Sequence, residues 1–75
     1  MKELIEFIAK QIVDKPDAVV LTEETDERGI VFKLQVADED KGRVIGKQGR
    51  IVQAMRTLLR VKAAKQGVRA SLEII

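Results

Sequence analysis

The chain is 75 residues long, 45% apolar and 35% charged, which allows one domain with a small core and excludes a disorder-biased composition. It contains no cysteine and no histidine, so disulfides, thiolate metal sites and the commonest general base are excluded. The net charge of +2 conceals a division: Lys41, Arg43, Lys47, Arg50, Arg56, Arg60, Lys62, Lys65 and Arg69 run without an intervening acid, whereas residues 1–37 are predominantly acidic. A positive half on so small a domain favours a polyanionic partner.

In "MKELIEFIAKQIV", Leu4, Ile5, Ile8 and Ile12 share one helical face, which predicts a first helix ending near Asp14, ahead of Pro16. Glu3, Glu6 and Lys10 make this segment too charged for a signal peptide, and no apolar run nears the roughly 18 residues of a membrane span. A cytoplasmic protein is expected. "AVVLTEET" is β-rich, and "IVFKLQV" alternates Ile30, Phe32, Leu34 and Val36 against Val31, Lys33 and Gln35. "DERG" supplies turn residues between them, so the two segments read as an antiparallel hairpin. "DEDKGRVI" predicts a short helix with acids in its first turn, where they suit the helix dipole. "RIVQAMRTLLRVKAAKQ" predicts a longer helix stopped by Gly67. In "VRASLEII", Ala70, Leu72 and Ile74 alternate inward against Arg69, Ser71 and Glu73. The predicted order is α-β-β-α-α-β, an α+β domain over residues 1–75 with three strands covered on one face by three helices. The two phenylalanines, Phe7 and Phe32, both sit in core-like patterns.

Between the last two helices stands "KGRVIGKQGRIV", Lys41–Val52, with glycines at 42, 46 and 49. Glycine costs roughly 1 kcal/mol against alanine inside a helix, so three of them need a reason. The loop GKQG precedes a helix start, where free backbone N–H groups attract anions. Gly46 and Gly49 remove side chains where a phosphodiester backbone would lie, Lys47 and Arg50 add cations, and Gly42 leaves a bare patch on the preceding helix. The bland alternative is a tight helix–helix turn that needs glycine only for its dihedrals.

These residues carry a resemblance. "VIGKQGRIV" is similar to the V-I-G-x-x-G-x-x-I signature of the KH domain, a module that binds RNA and single-stranded DNA and whose G-x-x-G loop clamps the nucleic-acid backbone. Val52 departs conservatively from the signature's isoleucine. The element order resembles that of type II KH domains, which implies a mixed sheet. Over its whole length the chain resembles the short bacterial single-KH proteins of the KhpA (YlqC-like) family. The resemblance implies Gly46, Lys47, Gln48 and Gly49 as the clamp, with Arg50 beside it and Gly42, Arg43 and Ile45 on the helix edge of the groove. It implies single-stranded RNA as ligand, with single-stranded DNA as the alternative, and a role as a post-transcriptional regulator or RNA chaperone acting with a partner. Family members are thought to pair with themselves and with a larger Jag-like (KhpB) protein carrying its own KH domain.

Tryptophan and tyrosine are absent, so base stacking on aromatic platforms is excluded. An aliphatic groove is expected instead, with Val44 and Ile45 as candidates and Ile45 preferred. No cofactor is expected, and an enzyme is disfavoured. "GRVIGKQ" is only superficially a phosphate loop: three residues separate Gly42 from Gly46, and Gln48 stands where serine or threonine would hold magnesium. A second reading is a protein-interaction or dimerisation module with only weak nucleic-acid binding. Around the long helix, apolar residues from Val61 through Ala54, Leu58, Ile51, Met55, Leu59 and Val52 to Ala63 cover roughly 200°, more than a core-facing stripe needs. The surplus edge is expected at Val52, Leu59 and Ala63, as a dimer interface.

Overall fold

The computed structural model describes residues 1–75. Helix α1 spans Lys2–Ile12, strands β1 and β2 span Val20–Asp26 and Gly29–Gln35, helices α2 and α3 span Lys41–Ile45 and Arg50–Lys65, and strand β3 spans Ala70–Ile74. The order is α-β-β-α-α-β, as expected. β2 is the central strand, antiparallel to β1 (Leu21 opposite Leu34) and parallel to β3 (Phe32 opposite Leu72). The sheet is therefore mixed, with β3 at one edge. No helix is long and apolar enough to cross a membrane.

The alternation read in the strands decides the core. Phe32 and Leu34 of β2 and Leu72 of β3 are buried on the helix side of the sheet, joined by Leu21 of β1 and by Val36 just beyond β2. At the β1–β2 turn, the Asp26 carboxylate accepts the N–H groups of Arg28 at 2.7 Å and Gly29 at 3.1 Å. The side chain thus satisfies the donors that the tight reversal leaves over.

Helix α1 ends two residues earlier than expected. Val13 is already extended at φ −87°, ψ 155°, and Pro16 opens a short 3₁₀ turn, Pro16–Ala18. The helix buries Ile5, Ala9 and Val13, each one turn from the next, with Ile8 and Ile12 packed beside them. Phe7 points away from that stripe and is 64% exposed. The expectation of a core Phe7 is thus corrected, because an apolar residue two places from Ile5 lies on the far side of the helix. The "DEDKGRVI" segment is not one helix but a 3₁₀ turn, Asp38–Asp40, followed by the five residues of α2. Helix α3 ends as expected at Gly67, φ +71°. The N–H of Val68 returns to the Ala63 carbonyl and that of Gly67 to the Ala64 carbonyl, at 3.0 and 3.1 Å, which is a Schellman closure.

The face that α3 turns to the core is Val52, Met55, Leu59 and Ala63, all buried. This overturns the expected interface at Val52, Leu59 and Ala63: these three are core, and the surplus lies at the other end of the apolar arc. Ala54, Leu58 and Val61 are exposed. The helical wheel fixes the width of an apolar arc but not which end meets the sheet; packing against β3 and α2 chose that.

Candidate nucleic-acid interface

The glycine-rich stretch forms a sharp joint between α2 and α3. Gly46 closes α2, donating its N–H to the Gly42 carbonyl at 2.8 Å, then turns the chain at φ 77°, ψ 171°. Lys47–Gly49 make one 3₁₀ turn, in which Gln48 is left-handed at φ 58°, ψ 25° and Gly49 at φ 74°, ψ 15°. Gly46 is required twice over. Its φ disfavours any side chain, and a Cβ there would meet Ile51 Cγ1 at 2.6 Å and Ile51 N at 2.9 Å. Gly46 is folded down on half-buried Ile51, and only Lys47 and Gln48 carry side chains in the loop.

Gly42 is different. Its φ is not positive, and nothing lies within 4 Å of where its Cβ would be. Neither dihedrals nor packing demand glycine, although the helix would be more stable with alanine. The bare patch read from the sequence is therefore present, and it faces open space.

The amides of Lys47 and Gln48 open the 3₁₀ turn, where N–H groups have no acceptor within the turn, and both residues are exposed. Beside them the Arg50 guanidinium donates to Gln48 Oε1 at 3.2 Å, while Lys47 has no acidic partner. Arg43 is partly neutralised by the Asp14 carboxylate at 3.2 Å, and Lys41 by Asp38 at 3.4 Å. The uncompensated positive charge thus sits on the α3 side of the loop. Gly42, Arg43, Ile45, Gly46, Lys47, Gln48, Gly49 and Arg50 all fall within or beside this joint. Val44 is fully buried in the core, whereas Ile45 is 39% exposed next to Gly46.

Beginning at Gln53, three residues into α3 from the loop, a cleft of about 330 Å³ lies between α3 and edge strand β3. Half-buried Ala70 gives it a small aliphatic base, backed by the buried Leu59 and Leu72; Gln53, Arg56 and Arg60 stand along its α3 wall. The aliphatic surface expected of a groove is present, but α3 and β3 provide it, and it is rimmed by arginine. Contributions from β3 could not be read locally, because they depend on which strand lies at the sheet edge.

One anchoring residue escaped the sequence reading. Asp40 is 1% exposed, and its carboxylate accepts the Asp14 N–H at 3.1 Å and the Lys15 N–H at 3.0 Å. It ties the chain leaving α1 to the start of α2, and so fixes the helix that carries Gly42 and Gly46. An acid before a helix reads as a partner for that helix; no local signal points to amides 25 and 26 residues earlier.

The KhpA/KhpB KH-domain model matches residues 2–74. The chain belongs to the KhpA/KhpB KH-domain family. It is 52% identical to the RNA-binding protein KhpA of Clostridium acetobutylicum over the full length of both. It is 49% identical to the RNA-binding protein KhpA of Listeria monocytogenes, covering all of this chain and 99% of that one. With the RNA-binding protein KhpA of Chlamydia trachomatis it shares 45% identity over all of this chain and 96% of the relative. No solved structure matches it. The family is one of RNA-binding KH domains and not of enzymes.

Proposed function

We propose that this KhpA/KhpB-family protein grips single-stranded RNA, with the GKQG loop holding the sugar–phosphate backbone and the α3–β3 cleft receiving bases. Gly42 is the observation that carries the reading. A glycine that the chain does not need for itself, on a helix facing open space, is explained by close approach of a ligand. The amides of Lys47 and Gln48 and the charges of Lys47 and Arg50 supply anion contacts beside it. The names of the relatives support RNA as the ligand; single-stranded DNA is the weaker alternative. Acting in the cytoplasm, such a clamp suits a post-transcriptional regulator or RNA chaperone that works with a partner.

Gly42→Ala tests the reading. The variant should fold and be more stable by up to about 1 kcal/mol in urea denaturation. It should bind a short single-stranded RNA several-fold more weakly, because the added methyl holds the ligand off the helix. Unchanged affinity would remove the argument for close approach.

The partner is a second copy of the chain, with a larger Jag-like (KhpB) KH protein as the alternative. Leu58 and Val61, 49% and 54% exposed, lie one turn apart on the outer face of α3, with Ala54 a turn earlier. Two such faces meeting across a two-fold axis would hide apolar surface that so small a domain otherwise leaves in water. Light scattering after gel filtration should give a dimer for the wild type and a folded monomer for Val61→Glu, each binding short RNA equally per site. A wild type that is monomeric at high micromolar concentration contradicts the pairing.

A further inference from the structure

The α3–β3 cleft holds one group that the clamp does not use. Arg56 is half-buried, and its Nε–H donates to the Leu72 carbonyl at 3.2 Å. None of the ion pairs of the molecule involves it. An arginine held by a neutral carbonyl keeps its full charge and the N–H groups of both Nη atoms. Because Leu72 belongs to a strand, the bond ties the guanidinium from the α3 wall to the β3 wall of the cleft. Arg60, on the same wall, is exposed and bonded to nothing. Arg56 is thus the one cation of the cleft that is pre-oriented.

We propose that Arg56 reads a base in this cleft and makes the protein prefer RNA that places guanine or cytosine there. The inference rests on the reading that RNA bases occupy the cleft. The two Nη groups form a fork of parallel donors, which is best met by two adjacent acceptors on one base edge. Guanine offers O6 and N7, and cytosine offers O2 and N3. The edges of adenine and uracil alternate acceptor with donor, so they accept only one of the two bonds. Ala70 beneath, backed by the buried Leu59 and Leu72, keeps water from one side of the base, which makes a missed bond more costly.

The test is fluorescence anisotropy with a seven-nucleotide uridine RNA and with versions carrying a single central guanosine, cytidine or adenosine. Wild type should bind the guanosine or cytidine version about fivefold or more tighter than the other two. R56K keeps the charge and a donor for the Leu72 carbonyl but loses the fork. It should bind the all-uridine RNA within about threefold of wild type, with the preference reduced below about twofold. R60K should keep the preference. Equal wild-type binding of all four RNAs overturns the proposal, and this outcome decides even should R56K fail to fold. So does a folded R56K that retains the preference, or an R60K that loses it. Failure to bind any of the four overturns the RNA-clamp reading as well, which distinguishes the two.

Discussion

Lys47→Asp/Gln48→Asp should abolish tight RNA binding while leaving the fold intact. Both side chains are exposed on the outer surface of the loop, so stability should change by less than about 1 kcal/mol. Gln48 sits in the left-handed region, which aspartate tolerates well. The change removes one cation and adds two anions where phosphates are proposed to lie. At about 1 kcal/mol per charge contact in a water-like dielectric, affinity should fall by about two orders of magnitude. Anisotropy with a short uridine RNA measures this directly, and circular dichroism checks the fold. A folded double variant with wild-type affinity would move the binding site away from the loop.

Asp40→Ala should be the most damaging single change to stability among the charged residues. It leaves the part-buried Asp14 and Lys15 amides without their acceptor, at a cost of about 1–3 kcal/mol. A domain of this size has roughly 4–11 kcal/mol in total, so the variant should melt far earlier in urea. Asp38→Ala removes an acid two residues away whose side chain is 95% exposed; it should cost less than about 0.5 kcal/mol. Equal midpoints for the two variants would deny Asp40 its anchoring role.

The contrast between Asp40 and Asp38 also marks the limit of what the sequence carries. Strand alternation such as Ile30-Phe32-Leu34 and the glycine stop at Gly67 are local signals, and the structure follows them. The GKQG joint was legible because left-handed backbone and close packing on Ile51 both need glycine at fixed positions. Phe7 is exposed because it stands two places from Ile5, on the far side of α1, a spacing that the sequence itself holds. The end of the α3 arc that meets the core is a different matter: Val52, Leu59 and Ala63 are buried, and only the folded topology says so. The Asp40 bonds span 25 and 26 residues, and the Arg56–Leu72 bond joins a helix to a strand that follows it. Periodicity holds no record of such pairings.

The central claim is that RNA is held at the α2–α3 joint and along the α3–β3 cleft. A titration of ¹⁵N-labelled protein with a seven-nucleotide uridine RNA, followed by amide chemical shifts, tests it most directly. The largest changes are expected at Lys47 and Gln48, whose N–H groups open the 3₁₀ turn, with further changes from Gln53 to Arg60 and at Ser71 and Leu72. Unmoved loop amides, with changes confined to the acidic β1–β2 hairpin or to the outer face of α3 around Leu58 and Val61, would contradict it.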